Sequence, residues 1–67
     1  MMKTNKYLYL YVLQGKYAHG WEDLCAADKS ERGAFKTIRA DWKSYRENEG
    51  GTYRIIERRE VNAQENA

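Results

Sequence analysis

Apolar residues in this chain fall into three stretches with different periods. Tyr7-Leu8-Tyr9-Leu10-Tyr11-Val12-Leu13 is the longest run without a charge, a glycine or a turn former. Its period of two predicts a strand over about 6–14, with Leu8, Leu10 and Val12 on one face and Tyr7, Tyr9, Tyr11 and Leu13 on the other. Gln14 to Gly20 sets two glycines around a polar centre, which predicts a wide hairpin loop. Trp21-Glu22-Asp23-Leu24-Cys25-Ala26 alternates weakly and reads as a short second strand, antiparallel to the first. It would lie on an edge, where Glu22 and Asp23 discourage sheet-to-sheet association.

Asp28-Lys29-Ser30-Glu31 has the spacing of a capping box and predicts a helix starting there and running to about residue 48. Ala34, Phe35, Ile38, Trp42 and Tyr45 recur at three and four residues, so a helix puts them on one face. Gly33 inside that pattern costs roughly 1 kcal/mol relative to Ala unless close packing on the sheet uses its missing side chain. Asn48-Glu49-Gly50-Gly51 stops the helix, and Thr52 to Val61 forms the third strand.

A strand, a hairpin, a helix and a strand make an α+β ββαβ unit. A right-handed crossover gives a three-stranded antiparallel sheet of order 2-1-3, with the helix packed on one face. The expected inner face joins Leu8, Leu10, Val12 and Leu24 to Tyr53 and Ile55. The outer face then carries Tyr7, Tyr9, Tyr11 and Trp21 beside Arg54, Ile56 and Arg58. Ile55-Ile56 leaves the register of the third strand open. The ordered core of this single small domain is expected over about 6–61, with residues 1–6 a lead-in, mobile at its start, and 62–67 a loose tail.

Size and charge narrow the function classes. With 67 residues the core is modest, so dimerisation would be unsurprising. Nine aromatics supply large surfaces to bury, which argues against a disordered tail. The basic amino-terminal segment is followed by an apolar run that is short and tyrosine-rich, which predicts neither a signal peptide nor a membrane span. Lone Cys25 has no partner for an internal disulfide and no accompanying ligand cluster, which fits a reducing cytoplasm. A net charge of +2 implies nothing by itself about nucleic acid.

Two surfaces remain for function. The outer sheet face gathers Tyr7, Tyr9, Tyr11, Trp21, Arg54 and Arg58, residue types that anchor interfaces with little entropy loss. It would serve a protein partner, a second copy or stacked bases, or be a solvated face of good strand formers. The second surface is a row of cations, Lys29, Arg32, Lys36, Arg39, Lys43 and Arg46, on one flank of the expected helix. Such a row tracks phosphates or grips an acidic protein. The alternative is a solvated flank, diluted by Glu31, Asp41 and Glu47.

No catalytic signature stands out, and neither a cofactor nor a metal site is expected. His19 has no nucleophile at a recognisable spacing. Glu22 and Asp23 are adjacent, so a strand sends them to opposite faces and they cannot act as a paired acid and base. Gly15 to Gly20 lacks the Lys-Ser/Thr ending of a phosphate loop and precedes a strand. Cys25 reads as a small buried hydrophobe.

Val12-Leu13-Gln14-Gly15-Lys16-Tyr17, Gly20-Trp21-Glu22-Asp23-Leu24, Tyr45-Arg46-Glu47-Asn48-Glu49 and Tyr53-Arg54-Ile55-Ile56 together resemble a group of short phage and prophage accessory proteins. The resemblance spans about residues 8–59 and carries over no functional residue. It implies a small protein made in an infected or lysogenic bacterium, acting on a surface of a host enzyme, defence complex or regulator. The expected function is therefore non-catalytic protein binding in the bacterial cytoplasm, with nucleic-acid binding through the cationic row as the alternative.

Overall fold

The computed structural model describes residues 7–61. The lead-in over 1–6, with the expected start of the first strand, and the tail over 62–67 fall outside the described residues. Strand β1 is Tyr7–Tyr17, β2 is Gly20–Asp28, helix α1 is Ala34–Asn48 and β3 is Tyr53–Val61. The three strands form one antiparallel sheet in the order β2-β1-β3, with α1 on one face. This is the ββαβ arrangement the sequence predicts.

The loop expected between β1 and β2 is much tighter than a wide reversal. Tyr17 pairs with Gly20, leaving only Ala18 and His19 to turn the chain. Neither of them needs a positive φ, because Gly20 takes it instead at 119°. Both strands thereby lengthen, and β2 continues to Asp28. Leu24 has no partner in the register, which passes from Leu13↔Cys25 to Gln14↔Asp23, so it is the extra residue of a bulge. Cys25, rather than Leu24, therefore sits opposite Leu13.

The tyrosine-rich strand presents the opposite face to the helix from the one expected. Tyr11 meets Phe35 of α1 edge-on at 5.2 Å between ring centres, and Leu13 is wholly buried. Register with β3 explains this. Leu13 pairs with Ile55 and Gly15 with Tyr53, and paired residues share a face, so the odd-numbered residues of β1 must follow Tyr53 and Ile55 under the helix. The face of Tyr53 and Ile55 is as expected; Leu8, Leu10 and Val12 are the residues that turn outward. Packing also favours this choice, because Leu13 and Ile38, 0 % and 1 % exposed, form the centre of the core with Ala34. Tyr9 lies on the helix side yet is 50 % exposed.

The helix begins five residues later than the capping box suggests. Asp28 does accept an amide hydrogen bond, but from Ser30 N at 2.9 Å, and it takes the Ser30 hydroxyl at 2.8 Å as well, closing a local turn. Gly33 then adopts φ 76°, and the first helical hydrogen bond runs from Thr37 N to Gly33 O. A left-handed residue cannot lie inside an α-helix, so Lys29 to Gly33 form a connection. Gly33→Ala should therefore destabilise the fold by about 1 kcal/mol, the strain of a left-handed L-residue. A helix-interior glycine would give a gain of similar size, so the sign of the shift in urea midpoint decides between them.

Candidate binding surfaces

The sheet face opposite α1, uncovered among the described residues, carries a polar network that spans all three strands. Gln14 on β1 is 6 % exposed, and both ends of its amide are satisfied. Its Nε2 donates to Asp23 Oδ1 on β2 at 2.8 Å, and its Oε1 accepts from Arg54 Nε on β3 at 2.8 Å. Arg58 donates to both oxygens of Asp23, at 2.5 and 3.1 Å, and lies 3.7 Å from Glu60. Asp23 stands in register with Gln14 and Arg58 with Leu10, so this pair crosses β1 diagonally at the level of Val12. That crossing accounts for Val12 being only 2 % exposed on a face that no helix covers. The Arg54 guanidinium lies 3.9 Å from the centre of the Trp21 ring, and the Lys16 ammonium lies 5.3 Å from the same ring.

Hydrogen bonds from Arg58 and then Gln14 hold the Asp23 carboxyl down to about 2. Asp23 in turn raises Arg58 above its ordinary value. A carboxyl depressed in the folded state stabilises it above the unfolded pKa near 4, and that stabilisation is lost as pH falls through about 2. Thermal midpoints should therefore fall between pH 5 and pH 2, and Asp23→Asn should flatten the decline. Some slope should remain, because the Ser30 amide also lowers Asp28. An unchanged slope in Asp23→Asn would mean the bridge does not form in solution.

The candidate interface residues divide between the two faces. Trp21, Arg54 and Arg58 come together on the uncovered face. Tyr7, Tyr9 and Tyr11 lie on the helix side, where Arg59 sits 4.4 Å from the Tyr7 ring and Lys29 sits 5.1 Å from the Tyr11 ring while pairing with Glu57. Leu8 and Leu10, both half-buried, take the place expected for the tyrosines, beside Ile56, which lies on this face as expected. Gln14 and Asp23 are members of this candidate face that the sequence did not single out. Gln14 was legible as the next residue after Val12 on its face, but nothing local marks Asp23.

The cationic row is shorter than expected. Lys29 and Arg32 precede the helix, which leaves Lys36, Arg39, Lys43 and Arg46 on α1. Arg39, Trp42 and Arg46 share the flank facing β3, with the Arg46 guanidinium 4.7 Å from the Trp42 ring and Trp42 Nε1 donating to Tyr53 O at 3.1 Å. Phe35, Arg39, Trp42, Tyr53, Arg54 and Ile55 line a groove of about 340 Å³ between this flank and β3. A second hollow of about 530 Å³ follows along Arg39, Lys43, Arg46 and Glu47.

Other reactive groups are engaged locally. Cys25 is partly buried with its thiol 3.7 Å from Asp41, and burial followed by the Asp41 charge pushes its pKa up, so it stays protonated and sluggish as a nucleophile. His19 lies at the hairpin tip, 3.0 Å from Glu22 and stacked on Tyr17. Among the described residues no group of three or more His, Cys, Asp or Glu is placed to hold a metal ion, and no helix is long and apolar enough to cross a membrane. No protein-family model matches the chain, and no curated protein or solved structure matches it either.

Proposed function

We propose that this chain is a non-catalytic binding module that docks on a protein partner through the uncovered face of its sheet. The supporting observation is the one-sided coverage of that sheet. Leu8, Leu10 and Ile56 form a half-buried apolar strip, and beside it Gln14 holds Arg54, Asp23 holds Arg58, and Arg54 lies over the Trp21 ring. An apolar centre with a polar rim is the usual anatomy of a protein interface. Side chains already fixed by hydrogen bonds have less freedom to lose on association. The resemblance to phage and prophage accessory proteins supplies the context: a small protein in the cytoplasm of a bacterial host, occupying a surface of an enzyme, regulator or defence complex.

Capture on the tagged protein from a bacterial lysate, identified by mass spectrometry, tests this. A discrete protein should be retained by the native chain and by Lys36→Ala, and lost with Leu10→Ser or Trp21→Ala at unchanged circular dichroism. Retention of the same protein by both of the latter variants would place the contact elsewhere. Light scattering reports whether a second copy occupies the face instead.

A further inference from the structure

We infer that the free edge of β3, together with the Arg39-Trp42-Arg46 flank of α1, accepts an extended acidic peptide as a fourth strand. The backbone supplies the first part of the argument. Lys16 N–H bonds Thr52 O at 2.9 Å, and Lys29 N–H bonds Tyr9 O at 2.8 Å. Even-numbered residues of β1 therefore face β3, and odd-numbered ones face β2. Carried through the register, this turns the backbone groups of Tyr53, Ile55, Glu57 and Arg59 outward, away from β1. Trp42 Nε1 already occupies the Tyr53 carbonyl. Amide and carbonyl of Ile55, Glu57 and Arg59 have no partner among the described residues and present the template that strand addition uses.

The two edges of the sheet differ. β2 is interrupted by the bulge at Leu24, whereas β3 pairs with β1 over nine consecutive residues without a break. A hollow of about 210 Å³ also lies between β2 and α1, at Ala26, Ala27, Ala34 and Thr37, but it holds no ring, whereas the larger groove above the β3 edge is lined by Phe35, Trp42 and Tyr53. A strand laid along Ile55 would send alternate side chains toward Phe35, which is 45 % exposed, and Trp42, within the groove of about 340 Å³. That space suits one bulky apolar side chain.

Charge selects what flanks it. Arg39, Lys43 and Arg46 have no carboxylate partner among the described residues, and only Glu47 shares their hollow. Glu57 on the edge itself is already compensated by Lys29. Acidic side chains beside the apolar one therefore meet unneutralised cations. A second copy fits worse, because two-fold pairing of β3 with itself brings two sets of these arginines toward each other. A nucleic acid would use the cations and Trp42 but leave the edge amides idle.

The test is a titration of the full chain, followed by amide NMR, with an acetylated and amidated peptide carrying a central Phe, Glu at the flanking positions of the same face, and Thr elsewhere. Three further probes separate the contributions: the peptide N-methylated at alternate amides, its Gln-for-Glu form, and an oligothymidylate of equal charge. Binding should shift the amides of Ile55, Glu57 and Arg59 and slow their exchange. N-methylation, Gln replacement and the exposed double variant Arg39→Ser/Arg46→Ser should each weaken it by about tenfold or more. Leu10→Ser should leave it intact, so this edge and the uncovered face fail separately. Equal binding of the N-methylated peptide, tighter binding of the oligothymidylate, shifts centred on Leu10, or no binding at millimolar peptide would each overturn the assignment.

Discussion

Leu13→Ala should leave the protein largely unfolded at room temperature, whereas Leu10→Ala should keep it folded with a midpoint only a few degrees lower. The two residues are chemically identical and three positions apart on one strand, but they face opposite ways. Leu13 is 0 % exposed and lies in the core with Ile38 and Ala34. Removing a side chain so enclosed costs roughly 2–5 kcal/mol, from lost transfer energy and the void left behind. A domain this size has a net stability of roughly 3–5 kcal/mol, so the loss is comparable to the whole. Leu10 is half-buried on the uncovered face, where truncation forfeits roughly 1 kcal/mol and water fills the space. For a domain of this length that corresponds to a drop of about 4–8 °C. Thermal melts followed by circular dichroism separate the two, and equal losses would contradict the assignment of faces.

The reversed face of β1 shows what the sequence carried and what it did not. Alternation told which residues share a side, since Leu8, Leu10 and Val12 do lie together opposite the tyrosines. It did not tell which side meets the helix, because both sets are good strand formers and Tyr can be half-wet. The deciding residue was Leu13, whose parity joins it to the tyrosines and whose side chain can be fully enclosed where theirs need an exit for the hydroxyl. The pairing of Leu13 with Ile55 would have settled the matter, but register between strands so far apart in the chain leaves no local trace. Gly33 illustrates a different limit. Apolar spacing from Ala34 to Tyr45 located the helix, and Asp28 signalled a cap, yet a glycine between the two reads equally as a helix residue or as its left-handed entry. Of the candidate site, Trp21, Arg54 and Arg58 were legible as interface residue types on one face. The fixing of the two arginines by Gln14 and Asp23 was not, since it depends on a bulge that moves Asp23 into register with Gln14.

Gly15→Val should destabilise the fold by roughly 1–3 kcal/mol, while Gly15→Ala should be close to neutral. Gly15 is buried in β1 opposite Tyr53, and two rings close over it from the helix side. A Cβ there would stand 2.9 Å from Tyr17 Cε2 and 3.0 Å from both Tyr17 Oη and Tyr53 Cε1. For Ala the contact is mainly with ring edges, and Tyr17, 40 % exposed, can swing toward solvent. The chain entropy that Ala removes from the unfolded state offsets the small displacement. Val adds two methyl groups, and Tyr53 has less room to yield: its ring lies 5.4 Å from Tyr45, and Trp42 bonds its carbonyl. Overpacking then pushes Tyr53 against α1 and loosens the groove floor that Tyr53 and Trp42 share. Removing one of the two rings should relieve the clash, so Tyr17→Ala combined with Gly15→Val should be less destabilised than the two single changes add up to. Urea denaturation of the four proteins measures that coupling, and strict additivity would mean that Tyr17 does not cover Gly15 in solution.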